Sequence, residues 1–97
     1  MFEVQQTSTY AAWFRSLRDR VTQGRIVARI ERLRLGNFVD AKSVGDGVLE
    51  LRMTFGPGYR VYFTRRGERI ILLLCGGDKR SQSRDIARAK QLAAELE

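Results

Sequence analysis

Between Val48 and Phe55 the chain alternates, with Leu49, Leu51 and Met53 on one side of an extended backbone and Glu50, Arg52 and Thr54 on the other. "GPG" at 56–58 predicts a turn, because glycine accepts positive φ and Pro57 presets its own. The alternation then resumes, with Tyr59, Val61 and Phe63 opposite Arg60, Tyr62 and Thr64. A second turn at Arg66-Gly67-Glu68 leads into "RIILLLCGG". That stretch is apolar on both faces, which predicts a central strand covered on each side. Phe2 to Gln6 also alternates and reads as a short first strand.

Elsewhere the spacing is helical. Thr7 or Ser8 can cap a helix whose stripe is Tyr10, Trp13, Phe14, Leu17 and Val21. A second helix starting near Asp19 or Thr22 turns Ile26, Ile30 and Leu33 inward, and Gly36-Asn37 stops it. Its outer face carries Arg25, Arg29, Arg32 and Arg34, a stripe that reads first as a solvated surface and at most as weak steering for RNA. Phe38 to Gly47 reads as loop. A last helix from Ser81 or Ser83 puts Ile86, Ala89, Ala93 and Leu96 inward, with Asp85 in its first turn complementing the helix dipole. The order is β-α-α-β-β-β-α. This is an α+β fold in which a helical hairpin and a C-terminal helix pack on a small antiparallel sheet. At this length one core is expected, so residues 1–97 form a single domain.

Composition narrows the chemistry. The longest apolar run, Ile70 to Cys75, is far too short to span a bilayer. The start, "MFEVQQTSTY", lacks a basic patch followed by an apolar block, so a cytoplasmic protein without membrane association is expected. Cys75 stands alone in an apolar run and reads as a buried small hydrophobe. There is no histidine, one cysteine cannot build a zinc site, and the eleven acids are scattered, so neither metal nor cofactor is expected. The net charge of +7 points to a polyanionic partner, nucleic acid first, or to an acidic protein that covers the patch. Fifteen of the eighteen cations are arginine, which forks onto phosphate and stacks on bases.

Strand geometry gathers some of these cations. If Leu51, Met53, Val61 and Phe63 share the apolar face, Arg52 and Arg60 lie together on the polar one. Two arginines so placed repel unless an anion sits between them. The third strand of the meander ends at Gly76-Gly77, where a missing side chain lets the backbone bend and a ligand come close. Lys79 and Arg80 then emerge at a helix N-terminus that itself favours phosphate. The result is a candidate phosphate trap of Arg52, Arg60, Lys79 and Arg80, with Tyr62 to hydrogen-bond or stack and Arg84 as a further phosphate contact. The competing reading is that Glu50, Glu68 and Asp78 neutralise these cations in surface pairs worth little.

"LRMTFGPGYRVYF", "LLLCGGDKRSQSRDIARAKQLA" and the helix end "IERLRLGNF" resemble the RelE/ParE superfamily of bacterial toxins, above all its phage-derived, HigB-like branch of addiction-module killer proteins. The resemblance covers nearly the whole chain. It implies a RelE-like fold and a cytoplasmic growth inhibitor held in check by a small helix-turn-helix antitoxin. Relatives with RelE-type activity enter the ribosomal A site and cut messenger RNA. Arg60 matches the strand arginine of that machinery, Lys79 the basic residue after the last strand, and Arg52 fits a second cation on the sheet. The family's helix tyrosine is replaced here by Asp85 or a neighbour, with Tyr62 as a speculative substitute.

Such cleavage needs no metal, because the substrate's own 2′-hydroxyl attacks the adjacent phosphate. The protein aligns it, stabilises the developing charge and moves protons. Lys79, set among cations, is the candidate general base. A 2′,3′-cyclic phosphate and a 5′-hydroxyl are the expected ends. Two other functions fit the sequence: a ParE-like, non-enzymatic inhibitor of DNA gyrase, and a basic nucleic-acid-binding module without catalysis.

Overall fold

A computed structural model describes residues 1–96. The elements are β1 (Glu3–Gln6), α1 (Ser8–Ser16), α2 (Arg20–Arg34), β2 (Ala41–Gly45), β3 (Val48–Arg52), β4 (Arg60–Arg66), β5 (Ile70–Gly77) and α3 (Gln82–Glu95). A single 3-10 turn, Lys79–Ser81, joins β5 to α3. The five strands form one sheet in the order β1-β5-β4-β3-β2. The α+β architecture is as expected, and the apolar β5 lies between two neighbours with helices over both its faces.

Two features of the sheet differ from the sequence reading. Residues 41–45, taken as loop, pair antiparallel with β3, Ala41 opposite Leu51 and Lys42 opposite Glu50. This strand is held by backbone hydrogen bonds at the sheet edge and buries little, so its side chains carry no strong alternation. β1 runs parallel to β5, Val4 opposite Ile71, so the sheet is mixed rather than antiparallel. Two residues assigned inward are also on the surface: Val21 sits in the first turn of α2, and Leu96 follows the end of α3.

The sheet separates two cores. On one side α1 and α2 bring Tyr10, Ile26 and Leu33 onto Leu51, Met53, Val61, Phe63, Ile71 and Leu73. Thr7 fixes where this layer begins. Its Oγ1 accepts from Tyr10 N at 3.0 Å, capping α1, and donates to the Leu74 carbonyl at 2.6 Å, tying the cap to β5. Asp19 caps α2 by accepting from Val21 N at 3.0 Å. On the other side α3 brings Ala89 and Ala93 onto Val48, Tyr62, Leu72, Leu74 and Cys75. Each large side chain fully buried in these layers stabilises the fold by roughly 1.5–3 kcal/mol.

One irregularity in β5 matters later. Tyr62 faces Cys75 while Phe63 faces Leu73, so Leu74 is an extra residue, a bulge. Leu74 and Cys75 therefore both point toward α3. Beyond the bulge the alternation is shifted by one, which sends Gly76 to the α1 side and Gly77 to the α3 side.

A candidate phosphate site at one end of the sheet

On the α3 face of the sheet, Arg52, Arg60 and Gly77 form one cross-strand row, and Glu50, Tyr62 and Cys75 form the next. The expected juxtaposition of Arg52 and Arg60 is thus observed, the two residues standing directly opposite in register. The anion that such a pair demands is part of the chain. Glu50, 1% exposed, lies two residues before Arg52 on β3 and diagonally across from Arg60.

Its two oxygens are fully engaged. Arg52 Nε donates to Oε1 at 2.6 Å, while Tyr62 Oη donates to Oε2 at 2.9 Å and Gln82 Nε2 donates to the same oxygen at 2.8 Å. Arg60 Nε stands 3.9 Å from Oε2. Burial is the largest influence on Glu50 and pushes its carboxyl up. The hydrogen bonds from Arg52, Gln82 and Tyr62, with the Arg52 charge, outweigh it and hold the carboxyl below its ordinary value. Arg52 is held above its ordinary value by the same hydrogen bond and charge. The competing reading put Glu50 in a weak surface pair; it is instead a buried, charged centre. Of the other two acids, Glu68 lies in the β4–β5 turn at the far end of the strands, and Asp78 is spent on the backbone. Asp78 Oδ1 accepts from Arg80 N at 2.9 Å and Ser81 N at 3.2 Å, capping the 3-10 turn.

Arg60 is the least satisfied cation of the group. Its side chain is 10% exposed, its Nη1 donates to the Gly58 carbonyl at 2.9 Å, and its Nε has no hydrogen-bond partner among the described residues. A buried donor left this way costs about 1–3 kcal/mol, so the position is strained unless something accepts from it. Gly58 brings Lys79 alongside. At φ +77° it turns the loop back, and a Cβ there would sit 3.3 Å from both Arg60 Nη1 and Lys79 Cβ. Lys79 N donates to the Pro57 carbonyl at 3.4 Å, fastening the start of the 3-10 turn to the same loop. Lys79, Arg80 and Arg84 are all exposed on the rim. Arg84 Nε is 3.8 Å from Asp85 Oδ1 with its side chain 81% exposed, a pairing that contributes little.

The two glycines have a different use from the one expected. The space above Gly76 is filled by the Trp13 ring, and the space above Gly77 by the Asp85 carboxylate and Ser81 hydroxyl. They admit the protein's own side chains, not a ligand. Ser81 Oγ donates to Asp85 Oδ2 at 2.5 Å, and Asp85 is buried. So the Asp85 carboxylate, hydrogen-bonded within its own turn, packs over the Gly77 backbone where α3 begins, while Ala89 and Ala93 seat the helix further along. Tyr62, read as a group that could stack on a base, is fully buried; burial first, and then Glu50, push its hydroxyl far above its ordinary range. It supports the cluster from beneath.

The cluster is an open face. The larger cavities, of about 470 and 390 Å³, are lined by other residues at the far end of β4 and beside α1, and neither touches Arg60 or Lys79. Among the described residues no group of three or more histidines, cysteines or carboxylates is placed to hold a metal ion. Among the described residues no helix is long and apolar enough to cross a membrane. Cys75 is buried, and its thiol is pushed up to about 12 by that burial first and then by Asp85.

Sequence reasoning weighed Glu50 only as a surface neutraliser of these cations, named Asp85 only as the residue at the family's helix-tyrosine position, and missed Gln82. Glu50 had a visible signal, since alternation alone puts it on the face of Arg52 and opposite Tyr62. Gln82 and Asp85 had none, because their arrival depends on how α3 crosses the sheet.

Residues 12–96 match the family described as "Phage derived protein Gp49-like (DUF891)". The chain is also 47% identical over 94 residues to a protein of Haemophilus influenzae (strain ATCC 51907 / DSM 11121 / KW20 / Rd) described as an uncharacterized protein, covering 97% of this chain and 95% of the relative.

Proposed function

The chain belongs to the phage-derived Gp49-like family, a RelE-like family associated with toxin–antitoxin modules, and we propose that it is the toxin of such a module, an endoribonuclease that cuts messenger RNA on the ribosome. The observation that carries this reading is Arg60: nine-tenths buried, with Nε unpartnered, beside Lys79 and directly across from Arg52. Nε itself is buried against Glu50, so a phosphate would meet this guanidinium at its outer N–H edge, a geometry suited to phosphate oxygens.

The substrate's 2′-oxygen forms a bond to the adjacent phosphorus as the bond from phosphorus to the 5′-oxygen breaks. Arg60 and Arg52 stabilise the charge that grows on the phosphoryl oxygens, a role suited to fixed cations already oriented before substrate arrives. Glu50 holds both arginines in place through one carboxylate and is too buried to be displaced by the substrate. Lys79, in its neutral amine form, takes the proton of the 2′-hydroxyl and becomes the ammonium, and the departing 5′-oxygen takes one from water. Arg80 and Arg84 contact neighbouring phosphates on the rim. A cluster on an open face suits a substrate presented in a larger assembly, here the ribosomal A site. The partner that restrains the toxin is a small helix-turn-helix antitoxin.

The test is to incubate the purified protein with ribosomes programmed with a defined message and to identify the ends of the fragments. Cuts bearing 2′,3′-cyclic phosphate and 5′-hydroxyl ends, lost in Arg60→Ala and Lys79→Ala, are expected. Fragments with 5′-phosphate ends, or intact message together with blocked supercoiling by purified DNA gyrase, would overturn the proposal.

A further inference from the structure

The outward arginines of α2 are not the uniformly solvated stripe that their spacing suggests. Arg34 is paired with Glu31, and Arg29 with Asp40. Arg25 and Arg32, both exposed, have no ion-pair partner among the described residues. These two face a hollow of about 220 Å³ whose lining is Arg25, Ala28, Arg29, Arg32, Thr54 and Phe55. No carboxylate contributes to that lining. The Arg25 guanidinium lies over the Phe55 ring, 3.9 Å from its centroid, so it is held flat while its N–H edges stay available.

The hollow lies next to the strand end that carries Arg52. Arg29 Nη2 donates to the Arg52 carbonyl at 3.2 Å, and Thr54 lies two residues beyond Arg52, about 7 Å along an extended chain. Arg52 sends its side chain to the α3 face, while Phe55 packs with the α1–α2 layer. The hollow and the Arg52–Arg60 pair thus lie on opposite faces of the sheet at the same end of β3.

We infer that the hollow lined by Arg25, Arg32, Thr54 and Phe55 is a second nucleic-acid subsite, which grips the ribose–phosphate backbone of the RNA strand whose scissile phosphate lies at Arg60. The choice of RNA rests on the function proposed above; the site itself rests on the hollow, its unpaired cations and the stacked guanidinium. Arginine held in a plane is matched to phosphate oxygens and to the face of a base, and Thr54 adds a hydroxyl that can donate to a phosphate. The subsite would set how far along the strand the message is held, separately from the bond-breaking groups.

The experiment measures binding of a fluorescein-labelled, 2′-O-methyl RNA 12-mer, which lacks the attacking hydroxyl, by anisotropy across a series of KCl concentrations. The variant is Arg25→Ala/Arg32→Ala, compared with Arg69→Ala/Arg88→Ala, which removes the same charge elsewhere. The first pair should weaken binding about tenfold and lower the slope of log affinity against log salt by about 1.4, the value for two lost contacts to a single strand. The second pair should change both far less. A lysine pair, Arg25→Lys/Arg32→Lys, should keep the slope and lose part of the affinity, because charge remains and the flat fork does not. A duplex probe of the same length should lose less affinity than the single strand; a larger loss on the duplex would assign the contact to ribosomal RNA and overturn the placement on the message strand. Equal effects of the two alanine pairs, or loss of poly-glutamate binding with RNA binding intact, would overturn the subsite. Because the probe cannot be cleaved, the result is independent of whether Arg60 and Lys79 cut RNA, which the fragment ends decide.

Discussion

The two faces of the sheet are closed by different physics. Toward α1 and α2, β3 with the residue after it, β4 and β5 present a layer of Leu51, Met53, Val61, Phe63, Ile71 and Leu73, with Arg65 at its edge stacked on Phe2 and Phe38. Toward α3, the same strands are apolar only in the middle, and at one end they present Glu50, Arg52, Arg60 and the bare backbone of Gly77. Adjacent residues of one strand serve opposite faces, so a change at Phe63 and a change at Tyr62 or Arg60 should report on different properties. The lesson is a division of labour: one face supplies most of the stability, the other spends some of it to hold charge in a buried position.

Several substitutions bear on that division. Phe63→Ala, in the apolar layer, should cost about 3–5 kcal/mol in urea unfolding, while protein that remains folded keeps its cleavage activity. Equal loss of stability from a cut on the α3 face would blur the contrast. Glu50→Gln, on the charged face, should cost about 3 kcal/mol, since two arginines lose the carboxylate that compensates them. It should also abolish cleavage, because Arg52 and Arg60 lose their shared anchor.

Glu50 also gives the wild type a pH signature. The folded protein holds this carboxyl below its ordinary value of 4.5. The ionised form is therefore favoured by folding, and its stabilisation is complete above the unfolded value. It drains away as pH falls through the folded one. Unfolding midpoints measured between pH 7 and pH 3 should fall more steeply for the wild type than for Glu50→Gln. Parallel curves would remove Glu50 from the account.

Gly77→Ala should destabilise by about 1–3 kcal/mol, because the new methyl collides with Asp85 and α3 must lift. A neutral result would mean that α3 is not seated on the strand as described. The smallest effect is expected for Arg84→Ala, whose long contact with Asp85 is exposed; its melting temperature should match the wild type, with only the salt dependence of RNA binding reduced.

How much of this could be read beforehand depends on the range over which each feature is specified. The positions of Arg52 and Arg60 on one face followed from alternation within two strands and from a turn marked by Gly56, Pro57 and Gly58, all local signals. So did the start of α1 at Thr7 and the apolar, doubly covered β5. β2 was missed because an edge strand is defined by whom its backbone bonds, and Lys42 and Ser43 look like loop residues until Glu50 and Leu49 are beside them. The parallel pairing of β1 was missed for the same reason, since alternation carries no direction. Gly76 and Gly77 were noticed, but their use was misread: a bulge at Leu74 decides which face each one meets, and no local pattern announces it.

The amino-acid sequence by itself determined the α+β class, the strands that carry the arginines, the excess of positive charge and the resemblance to RelE-like toxins, because each depends on neighbours only a few positions apart or on composition. The tertiary structure alone decided that Glu50 is the buried counter-ion, that Asp85 and Trp13 fill the places left by two glycines, and that Arg25 faces a hollow just beyond the end of β3. Those outcomes require residues from β3, β4, β5, α2 and α3 to meet in space. A charge's environment is set by everything around it, and the order of residues states only what lies along the chain.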